Sequence, residues 1–408
     1  MNKIVVQKYG GSSIATIARI KKAALNIVNY RKKGCQVVAV VSALGDTTDK
    51  LISLAKRINK HPDDRELDML ISTGEQVSSA LLAMAVHELG FNAISFAGFQ
   101  VGIITDGVFT KARIVKINSE RIKEALNKGK IVIVAGFQGV NLDMEVTTLG
   151  RGGSDLTAAA LAKSVDADIC EIYTDVEGVY TADPRIVRNA KKISRICYDE
   201  MLELASSGAQ VMQARSIEFA KKNDVKIHVR SSFTKKEGTI IMEEVKFMED
   251  IYVTGVAVDK NEAKVTICDV PDKPGIAALI FSQISSENIN VDMIVQNISR
   301  KKYTDVSFTV PKPDLVKTVE VSKKIVKKVK ASKVVTDDKI AKISVVGVGM
   351  KSHAGIAAKM FGALADNKIN IEMISTSEIK ISCVIRVHSA DKAVKILHRV
   401  FELHKLKR

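Results

Sequence analysis

The chain has 408 residues, of which 46% are hydrophobic and 26% are charged, so it is long enough for two or three domains and should contain no long disordered segment. Its net charge of +16 would suit a nucleic-acid partner, but the lysines are spread along the chain, tryptophan is absent and no run interleaves aromatic with basic residues. No apolar run approaches the roughly eighteen residues of a membrane span and no signal peptide is recognisable, so we expect a cytoplasmic protein without a nucleic-acid or membrane partner.

The first 240 residues predict an α/β domain. Runs rich in β-branched residues begin at Ile4, Val37, Ile131, Cys170 and Lys226, and helical patterns at 17–33 and 66–89 lie between them. This alternation is typical of a largely parallel sheet flanked by helices. Residues 234–250 are charged and have no clear period, so we place a domain boundary there.

The C-terminal part, 250–408, contains an internal repeat. The segment AKVTICDVPDKPGIAALIFSQ from Ala263 aligns with AKISVVGVGMKSHAGIAAKMFGA from Ala341, and NINVDM aligns with NINIEM further on. Each copy predicts a strand, a turn, a helix, a turn and a strand. We therefore expect two small paired modules, at about 263–330 and 341–408.

The densest basic run begins at Val321 and reads VSKKIVKKVKASK. Its apolar residues Val321, Ile325, Val326 and Val329 share one face of a helix, so the lysines are expected to form a solvated face rather than a polyanion site. The five cysteines are scattered without CxxC spacing and the seven histidines form no HExxH motif. No disulfide framework and no transition-metal site are predicted.

Three segments carry candidate chemistry, and the first is KYGGS at residues 8–12. Paired glycines between a strand and a helix allow a tight turn with exposed N–H groups, which suits an anion. Lys8 would add a positive charge where transferring phosphate oxygens lie. The alternative is an ordinary strand-to-helix turn with a surface lysine.

The second segment is TTLGRGGSDLTAAALA at residues 147–162. Ser154 and Asp155 fall where the N-cap of the following helix is expected. Capping would explain either residue, but it would not require Arg151 or three glycines. The planar guanidinium of Arg151 suits a carboxylate, and both the binding and the structural interpretation stay open.

The third segment is YTDVEGVYTADPR at residues 173–185, at the end of a predicted strand. Ligands usually bind at the carboxyl edge of an α/β sheet, so this segment could hold a nucleotide, although it could equally be a long loop. The sequence contains no GxxxxGK[ST] motif and no HRD or DFG set. Neither a P-loop nor a protein-kinase fold therefore explains nucleotide binding.

Taken together, these segments resemble the aspartokinases of the amino acid kinase superfamily. KYGGSS, VVSALGDTTD, STGEQVSSAL, VAGFQG, TTLGRGGSD and TDVEGVYTADPR follow in family order along the whole chain, and the repeat resembles paired ACT domains. The resemblance implies an α/β amino acid kinase fold, a mostly parallel sheet flanked by helices, followed by two ferredoxin-like ACT domains. The length without a dehydrogenase extension is similar to the monofunctional, lysine- and threonine-regulated type.

The resemblance implies ATP-dependent phosphorylation of the β-carboxylate of L-aspartate to 4-phospho-L-aspartate. This is the first step towards lysine, threonine and methionine, and feedback inhibition through the ACT domains is implied. The β-carboxylate is already a nucleophile, so no general base is assigned and catalysis must come from alignment and charge stabilisation. Mg²⁺ should bridge the nucleotide phosphates with few protein oxygens as ligands.

The resemblance also implies roles for individual residues. ATP would be bound by Lys8, Gly10, Gly11, Ser12, Ser42, Thr174, Asp175, Tyr180, Asp183 and Arg185. Aspartate would be bound by Thr48, Glu75, Arg151, Gly152 and Ser154, with Glu75 on its ammonium and Arg151 on its α-carboxylate. Lys8, Arg151 and Asp155 would form the catalytic set. This chain has Gln210 where related kinases often place a second lysine.

Inhibitor binding is implied at an interface between ACT domains, with a purely structural dimerisation module as the alternative. The implied residues are Asp272, Lys273, Pro274, Gly275, Ile276, Ala277, Asn290, Val291, Asp292 and Gln296 from the first copy, and Asn370, Ile371, Ser375, Thr376, Ser377 and Glu378 from the second. Loss of the side chain of Gln296 or Ser299 is expected to weaken inhibition. Lysine, threonine or both would be the inhibitors, and the chain would form a homo-oligomer or assemble with a shorter regulatory chain.

Two rival functions are weighed against this one. Another amino acid kinase would act on acetylglutamate, glutamate or UMP, but the ACT repeat and the combined GDTTD, STGEQ and GRGGSD segments argue against it. A non-catalytic amino acid sensor would have lost phosphoryl transfer. The presence of Lys8, Glu75, Arg151 and Asp155 argues against such loss.

Overall fold

The structure is a computed structural model that describes residues 3–209, 211–243, 253–297, 302–348, 350 and 355–406. The helices in these ranges are α1 Ile17–Lys32, α2 Thr47–Ile58, α3 Asp64–Ile71, α4 Thr73–Glu88, α5 Glu120–Asn127, α6 Gly153–Ser164, α7 Tyr198–Ser206, α8 Ala214–Asn223, α9 Ile276–Ser286, α10 Leu315–Val329, α11 Ile356–Asp366 and α12 Ala390–Val400. The strands of the first domain are β1 Ile4–Tyr9, β2 Gln36–Val41, β3 Ala93–Phe96, β4 Ile103–Thr105, β5 Ile114–Ile117, β6 Ile131–Ala135, β7 Gln138–Val140, β8 Val146–Thr148, β9 Ile169–Thr174, β10 Arg195–Cys197, β11 Ile227–Ser231 and β12 Thr239–Met242. The strands that follow are β13 Gly255–Asp259, β14 Glu262–Pro271, β15 Ile294–Gln296, β16 Tyr303–Pro311, β17 Lys333–Asp337, β18 Ile340–Val346, β19 Met373–Thr376 and β20 Lys380–Arg386.

The main sheet has eight strands in the order β10-β12-β11-β9-β1-β2-β6-β3. Every neighbouring pair is parallel except β11 with β12. Strand β2 is apolar from Val37 to Val41 because both faces of the sheet are covered there. Val37, Ala39 and Val41 belong to the core under α1 and α4, and Val38 and Val40 to the core under α5–α8. The predicted α/β fold and its five predicted strands are confirmed.

The helical pattern at 66–89 does not form one helix, contrary to prediction. The chain ends α3 at Ile71 and begins α4 at Thr73, and the carbonyl oxygen of Ser72 at the break accepts a hydrogen bond of 2.7 Å from Gln138 Nε2. By length and composition alone the segment Asp64–Glu88 would be apolar enough to cross a membrane, but core helices meet the same criterion, and half of its most apolar window is buried in the fold.

A second sheet of the first domain has four strands in the order β5-β4-β7-β8. Helix α3 is joined to it by the buried carboxylate of Asp68, which accepts hydrogen bonds of 2.8 Å from the backbone N–H groups of Thr110 and Thr148. Burial raises the pKa of Asp68, and these hydrogen bonds oppose that effect. Strand β8 then leads directly into the glycine-rich segment before α6.

The C-terminal part forms two four-stranded sheets, in the orders β15-β16-β14-β17 and β13-β18-β20-β19. The first copy of the repeat supplies β14, β15 and β16 of the first sheet, with α9 and α10, and the fourth strand, β17, lies just beyond the predicted end of that copy at about 330. The second copy supplies three strands and two helices, and its outer strand is β13, which precedes the first copy in sequence. The second module is thus discontinuous, so a domain at 341–408 alone is too short.

The basic run from Val321 lies in α10, as predicted. Val321, Ile325 and Val329 are buried in the core of the first ACT-like module, and the intervening lysines are exposed. The lysines therefore form a solvated face of a packed helix.

A buried polar network crosses the main sheet at Glu171, which is 3% exposed. Its carboxylate accepts hydrogen bonds from Gln7 Nε2 at 2.9 Å, Tyr30 OH at 2.7 Å, Tyr173 OH at 3.0 Å and Arg230 Nη1 at 3.1 Å. Strands β1, β9 and β11 and helix α1 are joined by this one side chain. The carboxylate is tolerated because each neighbouring donor compensates part of its lost hydration.

We expect Glu171→Leu to lower the free energy of unfolding by about 3–5 kcal/mol, because Arg230 and three other donors would lose their acceptor. Urea denaturation followed by circular dichroism measures this loss. The matched control is Lys221→Ala, which breaks the exposed Lys221–Asp199 pair of 2.6 Å and should cost under about 1 kcal/mol. A Glu171→Leu protein as stable as the control would contradict a stabilising role for the network.

Candidate active site

The first two candidate segments meet at the carboxyl edge of the main sheet. Lys8 lies near the end of β1 and Asp155 lies in the first turn of α6, and Lys8 Nζ is 2.5 Å from Asp155 Oδ1. The two side chains are only 12% and 9% exposed. An anion or cation entering here would therefore meet a nearly buried pair of opposite charges.

The KYGGS turn differs in detail from its prediction. A short 3₁₀ turn, Gly11–Ile14, lies between Gly10 and α1, and the N–H of Gly10 is already engaged because it donates to Tyr173 O at 3.2 Å. A Cβ on Gly11 would lie 2.9 Å from the carbonyl oxygens of Ala43 and Gly45. Glycine is required here because the backbone after β1 passes closely over the loop after β2.

Ser154 and Asp155 are not N-cap residues, which corrects the sequence prediction. Gly152 is the N-cap with φ of 70°, so the helix begins at Gly153 and the two side chains lie in its first turn. A left-handed residue lets the chain turn into the helix earlier than the pattern indicated. The carboxylate of Asp155 is thereby placed at the positive end of α6.

The remaining residues of the GRGGSD segment have different surroundings. Ser154 is buried, and a Cβ on Gly136 would lie 2.9 Å from its Oγ. Arg151 is exposed and has no ion-pair or hydrogen-bond partner among the described residues. Gly152 is covered by Gln213, whose Cγ would be 1.8 Å from an added Cβ. Arg151 is thus the exposed, unpaired cation of the segment in the described structure, and Ser154 is enclosed by its neighbours.

Glu75 lies near the start of α4 and is 3% exposed. Its Oε1 accepts a hydrogen bond of 3.1 Å from the N–H of Ala43, while Oε2 is buried without a partner among the described residues. Burial raises the pKa of this carboxyl to about 7. Since Ala43 also contacts the position of Gly11, Glu75 is connected through one loop to the KYGGS turn.

The other predicted residues on that loop have weaker structural signatures. Ser42 follows β2 and its N–H donates to Tyr9 O at 3.1 Å, which holds the loop beside the end of β1. Thr48 lies in the first turn of α2 and is half-buried. Both residues are therefore close to the site because they lie on, or directly after, the loop that follows β2.

Most of the third segment lines one cavity of about 400 Å³. Asp175, Tyr180, Asp183 and Arg185 all contribute to its lining. Arg185 Nη2 pairs with Asp183 Oδ2 at 2.8 Å. Thr174 does not line the cavity, and its hydroxyl donates to Asp175 Oδ1 at 3.1 Å at the end of β9. Since β9 lies next to β1, this cavity opens at the same sheet edge as Lys8.

Sequence reasoning missed the opposite wall of this cavity. It is lined by Val256–Val258 of β13, by Val394 of α12, and by Gly208 and Ala209 after α7. These are ordinary apolar or small residues in segments far from the motifs, so no local signal marks them. Gln210, where a second lysine was sought, lies outside the described residues.

The structure places the predicted inhibitor residues in different surroundings. Residues 272–277 and Gln296 line one cavity of about 330 Å³ in the first ACT-like module. Asp292 instead pairs with the buried Lys342 of β18. Asn290, Val291 and the second-copy residues Asn370, Ile371 and 375–378 do not line this cavity. Ser299 and most of the SHAG turn lie outside the described residues.

Comparison with known proteins identifies the family. Residues 3–231 match the amino acid kinase family, and residues 269–324 and 343–401 match the ACT domain. The chain is 50% identical over 406 residues to an aspartokinase from Corynebacterium efficiens, covering 98% of this chain and 96% of that relative. This favours an aspartokinase over an acetylglutamate, glutamate or UMP kinase and over a non-catalytic sensor.

Solved structures agree with the observed architecture. Clostridium acetobutylicum aspartate kinase is 27% identical with a TM-score of 0.76, covering 97% of this chain and all of that one (100%). E. coli aspartokinase III in complex with aspartate and ADP has a TM-score of 0.85 at 24% identity, covering 98% and 99% of the two chains, and shows the shared fold. The chain therefore belongs to the aspartokinase family, enzymes that phosphorylate L-aspartate, with an amino acid kinase domain followed by ACT domains.

Proposed function

We propose that the aspartate kinase reaction takes place where Lys8, Asp155 and Glu75 converge on the carboxyl edge of the main sheet. The single observation that carries this placement is the 2.5 Å contact between Lys8 and Asp155, which joins the KYGGS and GRGGSD segments in a nearly buried setting. The loop containing Ala43 links that pair to Glu75. The product is 4-phospho-L-aspartate, the precursor of lysine, threonine and methionine, and we infer that the enzyme works in the cytoplasm.

ATP is placed with its nucleoside in the 400 Å³ cavity and its phosphates towards the KYGGS turn. This placement is supported by the lining residues Asp175, Tyr180, Asp183 and Arg185 and by the adjacency of β9 and β1. Gly10, Gly11 and Ser12 then lie along the phosphates, with Ser42 and Thr174 at the margins. A turn with little side-chain bulk allows close approach of the phosphate oxygens.

Aspartate is placed between Glu75 and Arg151. The buried Oε2 of Glu75 has no partner among the described residues and suits the substrate ammonium. Arg151 is exposed and unpaired in the described structure, so it can close on the α-carboxylate in a bidentate contact. Thr48, Gly152 and Ser154 complete the walls of this subsite.

The reaction then needs alignment and charge stabilisation only. A β-carboxylate oxygen of aspartate attacks the γ-phosphorus of ATP, the bond to the β,γ-bridging oxygen breaks, and ADP leaves with that electron pair. Lys8 Nζ exchanges its contact with Asp155 for the transferring phosphoryl oxygens, whose negative charge it stabilises. Asp155 keeps the lysine at the strand end when no phosphate is present.

Mg²⁺ is proposed as the metal that accompanies ATP. The described residues contain no group of three or more histidine, cysteine, aspartate or glutamate side chains that could hold a metal. Mg²⁺ commonly takes one or two carboxylates together with phosphate oxygens and water, and Asp155 and Asp175 are the carboxylates available at this edge. The bound ion would neutralise phosphate charge during transfer.

Regulation is placed in the ACT-like modules. Lysine, threonine or both are proposed to bind at the 330 Å³ cavity of residues 272–277 and Gln296, where a glycine-containing turn offers backbone groups to an amino acid.

The outer strands β15 and β19 carry Ile294 and Ile374, which are 52% and 44% exposed. Exposed apolar edge strands favour pairing with another chain, so a homo-oligomer or an assembly with a shorter regulatory chain is proposed.

Lys8→Ala should lower kcat by about 10³-fold, because the lost cation acts mainly on the transition state. The assay traps the acyl phosphate as a hydroxamate from ATP, Mg²⁺, hydroxylamine and L-aspartate, with glutamate and acetylglutamate as comparison substrates. Lys21→Ala, an exposed lysine on α1, is the control and should keep full activity. A loss below about tenfold in folded Lys8→Ala would refute Lys8 as the phosphate stabiliser.

The KM for aspartate should fall by about tenfold between about pH 6 and pH 8, because the Glu75 carboxyl with a pKa of about 7 must be ionised to pair with the ammonium. Below its pKa the group is protonated and binding must first expel the proton. Glu75→Gln should raise the KM and remove this dependence, while the KM for ATP stays level across the same range. A wild-type profile that Glu75→Gln leaves unchanged would assign the pH dependence to another group.

Gln296→Ala should raise the inhibitor concentration needed for half-inhibition by about five- to tenfold, because one polar contact in the inhibitor cavity is lost. Uninhibited kcat and both KM values should stay at the wild-type level. The control is Gln283→Ala on α9, a glutamine of the same module that does not line the cavity. Equal inhibitor sensitivity of both variants and the wild type would exclude Gln296 from the inhibitor site.

A further inference from the structure

The second ACT-like module packs directly on the loop proposed to hold the nucleotide. We call residues 180–187 the nucleotide loop. Thr181 of this loop and His398 of α12 are buried to 0% and 1% exposure, and Thr181 Oγ1 lies 3.0 Å from His398 Nε2. The two residues are 217 positions apart in sequence, so only the tertiary fold brings them into contact.

Thr181 uses all its polar groups to fix the loop. Its N–H donates to Lys191 O at 2.9 Å, and its carbonyl oxygen accepts from the N–H of Val256 in β13 at 2.8 Å. Its Oγ1 accepts from the N–H of Lys191 at 3.0 Å in addition to the contact with His398. The loop is therefore attached to the regulatory side through both β13 and α12.

Apolar packing reinforces this attachment. Ala182 and Val187 of the nucleotide loop belong to the same core cluster as Val394 and Leu397 of α12. Val394 also lines the proposed nucleotide cavity. The regulatory module is thus a wall of this cavity as well as the support of its loop.

His398 carries a polar contact inside this otherwise apolar cluster. Burial lowers the pKa of His398 to about 4, with a smaller effect of His404, so the imidazole is neutral at neutral pH. In the neutral ring one nitrogen donates and the other accepts, and the hydroxyl of Thr181 can match either tautomer. A neutral, buried imidazole holds the loop without bringing an uncompensated charge next to a nucleotide.

We propose that His398 is a positioning residue for ATP: through Thr181 it fixes the nucleotide loop and thereby sets nucleotide affinity. This inference rests on the proposed placement of the nucleotide in the cavity of Asp175, Tyr180, Asp183 and Arg185. His398 does not touch the reacting atoms. Its effect should appear in the KM for ATP and not in the KM for aspartate, because Glu75 and Arg151 lie outside the nucleotide loop.

The test compares steady-state kinetics and equilibrium ADP binding for His398→Ala and Thr181→Val. Each should raise the KM for ATP and the Kd for ADP by about five- to tenfold, with kcat within about twofold of wild type and the KM for aspartate unchanged. The double variant should be no worse than the poorer single variant, because both remove the same contact. His398→Gln, whose amide can again meet the hydroxyl, should restore much of the affinity, and His388→Ala, an exposed histidine just before α12, is the control.

Arg185→Ala separates failure of this inference from failure of the proposed nucleotide site. If Arg185→Ala leaves the KM for ATP unchanged, the nucleotide does not occupy this cavity and the inference falls with it. If Arg185→Ala raises that KM while folded Thr181→Val, together with His398→Ala where it folds, matches the wild type, the site stands and the role of His398 is wrong. Equal increases in the KM for ATP and for aspartate would show a general structural role and would also overturn the proposal.

Discussion

The contact between Lys8 and Asp155, two nearly buried side chains at the carboxyl edge of the main sheet, constrains much of this structure. Burying either charge alone would cost several kcal/mol, whereas the pair at 2.5 Å compensates much of the lost hydration. Lys8 can therefore point into the site only because α6 begins where it does and presents Asp155. The contact ties β1 to α6 and leaves a cation whose partner a phosphate group can replace.

The placement of α6 depends in turn on residues that lack side chains. Gly152 adopts the left-handed conformation that starts the helix, and the absence of a Cβ leaves room for Gln213 against it. Gly11 and Gly74 play a similar part on the other side, where the loop through Ala43 passes within contact distance of both. Close backbone approach at these positions brings Lys8, Asp155 and Glu75 to one edge of the sheet.

The regulatory modules are structurally part of the catalytic unit. Strand β13 follows the kinase domain in sequence, completes the sheet of the second module and also lines the cavity proposed for the nucleotide. The buried Lys342 of β18 meets Asp292 of the first module, and its Nζ donates to the carbonyl oxygen of Ser206 at the end of α7 at 3.2 Å. An inhibitor that changes the packing of the modules therefore acts on groups that already touch the kinase domain, and its effect is limited by its difference in affinity for the two arrangements.

The amino-acid sequence by itself determined the local features: the five core strands, the glycine turns after β1 and before α6, the repeat and the residue types of the site. These follow from short-range causes, namely side-chain periodicity, backbone freedom at glycine and charge at strand ends. It did not show the break at Ser72, because apolar periodicity continues through it and the hydrogen bond from Gln138 comes from a distant strand. Only the tertiary structure decided the pairing of Lys8 with Asp155, the contribution of β13 to the second module and the contact of His398 with Thr181, since each depends on which distant segments the strand order and helix packing make neighbours.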